Sequence, residues 1–217
     1  TNYLPKAFIA ASALATSLAF SSTAFAQVVN DGKPIYVHET ELSYNNPNEQ
    51  FEITISDKLN GIDVLEGKLQ LDKIHSLIIN SAEGNTAQAG ININKNSLVT
   101  IDSLDKIDLS IDKDSGMVFG VYAENNSSLT LNSGNFISIN TSTQTKNNSG
   151  INAGDLSSIK ITSTGQNNNG WGLNVVSKNL EDTWAIVTAG GDVDVNTTGG
   201  GIYLETASTT NTYTVYA

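Results

Sequence analysis

The 217-residue chain has no cysteine, and it has only 3 prolines and 1 methionine. Without cysteine it can form no disulfide, no thiolate nucleophile and no Cys-ligated zinc site. Arginine is also absent, so all 11 basic residues are lysines, and the 22 acidic residues give a net charge of −11. Nucleic-acid binding requires a dense cationic surface, usually with bidentate arginine contacts, so we expect no nucleic-acid partner.

The residues that are abundant favour β-structure with many corners. Hydrophobic residues make up 39% of the chain and charged residues 15%, and there are 18 glycines and 26 asparagines. Asparagine competes for the backbone hydrogen bonds of a helix interior and, with glycine, favours tight turns. We therefore expect an all-β fold around an aliphatic core.

Residues 1–26 have the organisation of a Sec-type signal peptide. A lysine precedes an apolar run over residues 7–20, and Ala24-Phe25-Ala26 forms a small-x-small triplet. We expect cleavage after Ala26, with Ala24 and Ala26 as the recognised residues. A membrane anchor is the alternative, but the hydroxyl residues before the triplet suit a peptidase better than hydrocarbon. Because the chain starts with threonine and ends beside a strand-like segment, we also expect one or both ends of a longer protein to be missing.

Apolar residues recur at a constant spacing, 99 − 69 = 30, which indicates a repeat architecture. Four aliphatic columns keep this spacing: Leu69, Val99, Leu129 and Ile159; Leu71, Ile101, Leu131 and Ile161; Leu77, Ile107 and Ile137; and Ile79, Leu109 and Ile139. Two serine columns keep it as well: Ser97, Ser127 and Ser157, and Ser103, Ser133 and Ser163. Each unit opens at a glycine: Gly90, Gly120 and Gly150.

Apolar and polar residues alternate within each unit, as in Val99-Thr100-Ile101, which is the period of a strand with one buried face. Three such strands in each repeat predict a right-handed parallel β-helix with three-strand rungs stacked roughly 4.8 Å apart. The aliphatic columns would then form a dry core, and the serine and asparagine columns could exchange hydrogen bonds at the corners.

The sequence divides into three segments. After the signal peptide, we expect an N-terminal β cap over residues 27–59 and a parallel β-solenoid over residues 60–217 that is incomplete at its C terminus. The cap would cover the unpaired strand edges of the first rung. Residues 60–206 correspond to about five rungs. The register changes after Ile161, and Gly172 follows Gly150 by only 172 − 150 = 22 residues, so we expect one shortened rung.

The candidates for chemistry are few, and we predict no catalytic residue, no metal site and no cofactor. The two histidines, His38 and His75, lie 75 − 38 = 37 residues apart with no cysteine or glutamate at ligand spacing, so we interpret both as surface residues. Asp114-Ser115-Gly116 is similar to a serine-protease nucleophile segment, but it has no accompanying triad and predicts a turn.

Two acidic patterns are also weak as sites. Residues 190–194 are similar to a single imperfect calcium-binding nonapeptide, and such sites need several aligned copies. Acidic residues also crowd one rung, and we interpret them as solvated side chains on outer faces: Asp102, Asp105, Asp108, Asp112 and Asp114.

Four aromatic residues form the one candidate for a binding face. Phe119 and Trp171 each precede a glycine, and Tyr122 and Tyr203 lie on nearby strands. Our first interpretation is that they fill voids inside the solenoid. The alternative is an outer stacking platform for a sugar or a protein partner.

The sequence resembles the passenger region of bacterial autotransporters in four respects. It has a leader, it lacks cysteine, its composition is acidic and rich in Asn, Ser, Thr and Gly, and its rungs contain Gly-Ile-x-Ile and Ser-Leu-x-Ile motifs. The resemblance covers residues 1–26 and about 60–206. It implies type V secretion, with the Sec machinery and a C-terminal β-barrel outside residues 1–217 as export partners. It also implies a location on the outer membrane surface or outside the cell.

Three functions are compatible with these features. The first is a non-enzymatic passenger in adhesion or cell contact, with an unidentified host or bacterial surface ligand. The second is a secreted carbohydrate-active lyase or glycosidase on the same scaffold, which predicts a groove with two or more convergent carboxylates, or a lysine or arginine over a calcium site. The third is a structural surface spacer, which predicts that no face is richer in aromatic residues than another.

Overall fold

A computed structural model describes residues 26–27, 30–55, 60–82, 88–114, 116–144, 148–179 and 182–216. The signal-peptide prediction, including Ala24, falls outside these residues except at its last position, Ala26, which begins the first strand. All regular elements in the described ranges are strands. No helix there is long and apolar enough to cross a membrane.

The strands form three parallel sheets, here called sheets A, B and C. Sheet A contains β1 (Ala26–Gln27), β3 (Glu41–Asn45), β6 (Lys68–Ile74), β9 (Leu98–Ser103), β12 (Ser128–Ser133), β15 (Ser158–Ser163) and β18 (Asp192–Thr197). Sheet B contains β2 (Ile35–His38), β5 (Ile62–Leu65), β8 (Ala89–Asn94), β11 (Val118–Ala123), β14 (Asn148–Gly154), β17 (Thr183–Ala189) and β20 (Thr212–Tyr216). Sheet C contains β4 (Gln50–Ile55), β7 (Ser76–Ser81), β10 (Lys106–Lys113), β13 (Phe136–Thr143), β16 (Trp171–Lys178) and β19 (Gly201–Ala207).

The chain visits sheets B, A and C in turn, so that β2–β4, β5–β7 and each later set of three strands make one rung. Every strand pairs in parallel with its equivalent in the next rung. Val99 lies between Leu69 and Leu129, as the repeat requires. The prediction of an all-β parallel solenoid with three-strand rungs is confirmed, and hydrogen-bonded partners in the central rungs, such as Asn96 and Asn126, lie 30 residues apart.

The core is a set of aliphatic ladders along the solenoid axis. All fourteen residues of the predicted aliphatic columns are buried, with at most 1% of their surface exposed. Each residue stacks on an equivalent aliphatic residue of the next rung, so every rung removes further apolar surface from water. Such burial contributes about 1.5–3 kcal/mol per side chain. Stability therefore comes mainly from contacts between neighbouring rungs.

Residues 35–55 continue the same three sheets. Ile35 pairs with Ile62 in sheet B, and Phe51 pairs with Leu77 in sheet C. Side chains that hydrogen bond between this rung and the next lie 27 residues apart in sheet A and 26 residues apart in sheet C. A search for residues 30 apart, the spacing of the central rungs, therefore does not find this rung. The segment expected as a cap thus contributes a complete rung, and its strands continue the core ladders on the N-terminal side of residue 60.

The rung after Ile161 is longer than the others, and the expectation of a shortened rung is wrong. Leu173 pairs with Ile137, an interval of 173 − 137 = 36 residues. The additional residues form a folded corner, in which the side-chain Oδ1 of Asn167 accepts hydrogen bonds from the backbone N–H groups of Asn169 and Trp171. Strand β16 therefore belongs to sheet C, and its glycine is not equivalent to the unit-opening glycines of sheet B.

The corners between sheets B and A explain the polar columns. Asn96 and Asn126 adopt positive φ angles of 59° and 58°, a conformation that asparagine tolerates better than most residues. The Nδ2 of Asn126 donates to the Oδ1 of Asn96 over 2.9 Å. Beside them, the hydroxyl of Ser127 accepts from the backbone N–H of Ser97 over 3.2 Å. Each corner is thereby hydrogen bonded to the next.

Candidate functional site

The outer surfaces of the three sheets differ in composition. In sheet A the one aromatic residue among the described strands is Tyr44, whose ring packs on Phe51 5.0 Å away. Sheet C carries Phe136, Trp171 and Tyr203 in addition to the buried Phe51. Sheet B carries six aromatic residues: Tyr36, Phe119, Tyr122, Trp184, Tyr213 and Tyr216. Aromatic surface is therefore concentrated on sheet B, mostly toward the C-terminal rungs.

A glycine column runs through three strands of this face, β8, β11 and β14. In β11, Gly120 and Val121 are both buried, so Phe119 and Tyr122 lie on the same side, with ring centroids 4.7 Å apart and nearly parallel planes. A Cβ at Gly120 would lie 2.1 Å from Cγ2 of Ile139, so no larger residue fits. The repeated unit-opening glycine is thus a packing requirement that shapes the outer face.

Two outward columns form a groove on sheet B. One runs from Phe119 through Ser149 to Trp184, and the second runs through Asn152 beside it. Because adjacent rungs are roughly 4.8 Å apart, Phe119 and Trp184 are separated by roughly 9.6 Å along the axis. These residues line a groove of about 230 Å³ together with Met117 and Tyr216, and Ser149 is covered at its base, with 1% of its surface exposed.

The polar groups of the groove are few. Asn152 is half-buried, and its side-chain amide has no hydrogen-bond partner in the described ranges. The indole N–H of Trp184 is likewise unpaired within that part of the chain. The Ser149 hydroxyl instead donates to the backbone carbonyl of Ile151 over 3.0 Å. An amide and an indole N–H are therefore free to bind a ligand among aromatic surfaces.

The Tyr122 hydroxyl at the margin of the groove is held neutral. Burial raises the pKa of Tyr122 to about 12, and the hydrogen bond to the Glu124 carboxylate and the charges of Glu124 and Asp155 act in the same direction. Glu124 also accepts a hydrogen bond of 3.3 Å from the Nδ2 of Asn94. This carboxylate is therefore engaged by the protein itself.

The structure separates the four aromatic residues that the sequence grouped together. Phe119 and Tyr122 lie on sheet B, whereas Trp171 and Tyr203 lie on sheet C, with ring centroids 5.2 Å apart. All four are half-buried and face outward, since their aliphatic strand neighbours supply the core. The hydroxyl of Tyr203 donates to Glu205 over 2.8 Å, and this hydrogen bond raises the pKa of Tyr203.

Sequence reasoning missed Trp184, Asn152 and Tyr216 as members of the groove. Trp184 pairs with Ser149 across 184 − 149 = 35 residues, because the long corner and the next connection add residues between them. The signal that could have identified Trp184 is the buried Ala185-Ile186 pair that follows it, which corresponds to the Gly-Ile pair after Ser149.

A second cluster lies at the N-terminal corner between sheets B and A. The ligand atoms of His38, Glu39 and Glu66 lie within 4.8 Å of one another, so the expectation that no glutamate accompanies His38 is wrong. Glu39 and Glu66 also line a cleft of about 370 Å³. The side chains of the three residues are 41–69% exposed, and Lys95 lies 3.3 Å from the Glu66 carboxylate.

The aspartates that crowd one rung do not converge. Asp102 on sheet A accepts a hydrogen bond from Asn132, and Asp105 at the corner accepts one from Asn135 over 3.3 Å. Asp108 lies on sheet C, where burial raises its pKa while the charge of Lys106 opposes that effect. These carboxylates are distributed over two faces and mostly bind the neighbouring rung.

Protein-family models, curated protein sequences and solved structures give no match to this chain.

Proposed function

We propose that this chain is a surface-exposed or secreted passenger of the autotransporter type, and that it acts without catalysis in adhesion or cell contact. The proposal rests on the groove of sheet B between Phe119 and Trp184. Exposed aromatic surface that is concentrated on one face is typical of binding sites, because its desolvation favours association.

The unequal distribution of aromatic residues argues against a simple spacer. A spacer would need only regular polar faces, like that of sheet A. Sheet B instead carries six aromatic residues on its described strands, among them the half-buried Phe119, Tyr122 and Trp184. Aromatic surface gathered on one face favours burial against a partner, so this distribution supports a binding role.

The cleft near Glu39 and Glu66 is the observation that favours the second candidate, a secreted carbohydrate-active enzyme. A glycosidase needs one carboxyl group that is desolvated enough to act as a general acid. Here Glu66 is exposed and lies near Lys95, and Glu41 lies 4.0 Å from Lys68. We therefore favour binding over catalysis. Hydrolysis of a polysaccharide that is abolished by Glu39→Gln or Glu66→Gln would favour the enzyme instead.

Export is the second part of the proposal. The chain has no cysteine, so its assembly needs no disulfide formation after translocation. Stacking of parallel rungs depends mostly on contacts with neighbouring rungs, which suits folding after passage through a membrane. Deletion of residues 2–26 should retain the protein in the cytoplasm, as cell fractionation would measure. Unchanged export would contradict the signal-peptide prediction.

An adhesion assay tests the role of the groove. The full chain displayed on bacteria should promote attachment to host cells or to other bacteria, and Trp184→Ala should reduce attachment at least tenfold. Thr130→Ala on the outer face of sheet A is the matched control and should leave attachment unchanged. Equal losses from both variants, or no attachment at all, would contradict the proposed function.

A further inference from the structure

The groove of sheet B also indicates which ligand it binds, an inference that rests on the proposed function. We propose that it takes a neutral oligosaccharide, with a sugar ring placed against Phe119 and Trp184. The groove that these two side chains line together with Asn152 has a volume of about 230 Å³, which gives room for one ring-sized group. Ser149 lies between them in the same column and is only 1% exposed, so the ring contacts the outer parts of the two aromatic side chains.

The lining matches the two surfaces of a sugar. The C–H face of a pyranose ring packs on aromatic rings, which Phe119 and Trp184 provide. The amide of Asn152 can donate and accept hydrogen bonds at the same time, which suits two neighbouring hydroxyl groups. An apolar protein segment would bury this amide and the indole N–H without partners, so it fits less well.

The charge of the site selects an uncharged ligand. The seven strands of sheet B contain no lysine, and the groove has no carboxylate in its lining. On the Met117 side, the ammonium group of Lys113 donates to the Met117 backbone carbonyl over 3.3 Å. Glu124 is occupied by Tyr122 and Asn94. A uronate, a sulfated glycan or a polycation would therefore find no free counter-charge among the described residues that line the groove.

The aromatic surface continues past the groove along the axis. Tyr213 stacks on Trp184 with ring centroids 6.1 Å apart and an interplanar angle of 11°, and Tyr216 lies 5.9 Å from Tyr213. A chain of several sugar units can therefore contact more rings than a single unit can. We expect hexasaccharides to bind at least tenfold more tightly than the corresponding monosaccharides.

Tryptophan fluorescence provides a direct test, because the chain has only two tryptophans, Trp171 on sheet C and Trp184 in the groove. In the full chain carrying Trp171→Phe, fluorescence reports on Trp184 alone. We would titrate this variant with cellohexaose, chitohexaose, maltohexaose and mannohexaose, and with hexagalacturonate and a heparin hexasaccharide as charged probes. At least one neutral probe should change the emission saturably, and neither charged probe should.

Two further variants separate binding from folding. Asn152→Leu keeps the branched shape of the side chain but removes its hydrogen bonds, and it should weaken binding at least tenfold with an unchanged thermal unfolding temperature. Tyr203→Ala on sheet C is the control and should bind normally. Saturable binding of a charged probe alone, or full binding by Asn152→Leu, would overturn the inference.

The outcome also distinguishes the inference from the function on which it rests. If no neutral probe binds but Trp184→Ala still abolishes cell attachment, the saccharide inference is wrong and the adhesive function stands, with a protein ligand. If attachment does not depend on Trp184, the proposed function itself is wrong.

Discussion

Replacement of Ile101 by aspartate tests the central property of the fold, the dry interior. Ile101 has no exposed surface and lies between Leu71 and Leu131 in the stack. Ile101→Asp removes the aliphatic group and introduces a carboxyl group among aliphatic neighbours. The buried carboxyl must either stay charged without a partner or bind a proton.

The loss of stability in Ile101→Asp has two parts. Loss of the isoleucine side chain costs about 2–5 kcal/mol, as in other large-to-small core substitutions. Keeping the carboxyl protonated at pH 7 requires a pKa about three units above its value in the unfolded chain, which costs about 4 kcal/mol. The sum of roughly 6–9 kcal/mol is comparable with the whole stability of a typical domain, about 5–15 kcal/mol.

Chemical denaturation and thermal unfolding, followed by circular dichroism, measure this loss. Ile101→Ala should show only the first part, and Thr100→Asp on the outer face should change stability by about 1 kcal/mol or less. The pH dependence supplies a further check. Since burial raises the folded-state pKa of the introduced carboxyl, its penalty is absent below about pH 4 and grows as pH rises. Equal stability of Ile101→Asp and Thr100→Asp would refute the inward direction of this column.

Three other substitutions test the packing, the hydrogen bonding and the electrostatics. Gly120→Ala should lower the stability of the protein by about 1–3 kcal/mol in thermal unfolding. Gly154→Ala is the control and should be nearly neutral, because its added Cβ would lie 3.8 Å from the nearest atom. Equal effects of the two substitutions would contradict the packing role of Gly120. Thr183→Val should stabilise the fold by about 1 kcal/mol, because the buried Oγ1 of Thr183 has no hydrogen-bond partner in the described part of the chain. A lower unfolding temperature of the variant would instead indicate that this hydroxyl has a partner outside the described residues. Glu124→Gln should lower the pKa of Tyr122 from about 12 toward 10 in an absorbance titration. Because folding raises the pKa of Tyr122, its contribution to stability is present below about pH 10 and is lost as the pH approaches 12. An unchanged tyrosine titration in Glu124→Gln would show that burial alone raises this pKa.

The constant spacing of the aliphatic columns makes the central rungs predictable from sequence. Leu69, Val99 and Leu129 stack in the register that their spacing indicates. The first rung does not stand out in the sequence, because its hydrogen-bonded partners in the next rung lie only 26 residues and 27 residues away. Corner length is weakly constrained by the fold, since corners lie outside the ladders. A search at a fixed interval therefore finds rungs only where corner lengths happen to agree.

The groove was less predictable than the fold for the same reason. The pairing of Ser149 with Trp184 depends on two irregular connections that precede Trp184. The free amide of Asn152 follows from its three-dimensional neighbours, which no local pattern specifies. Phe119 and Tyr122 could be identified as candidates, but their outward direction depends on the two consecutive buried positions at Gly120 and Val121.

The glycine column has a consequence for how such a protein can diversify. Gly90, Gly120 and Gly150 fix the backbone path, while Tyr122 and Asn152, which follow the glycine-aliphatic pairs, are half-buried on the outer face. Replacements at Asn152 would therefore alter this face with little effect on folding. Selection could change the outer face one residue at a time, while the interior sequence stays almost unchanged.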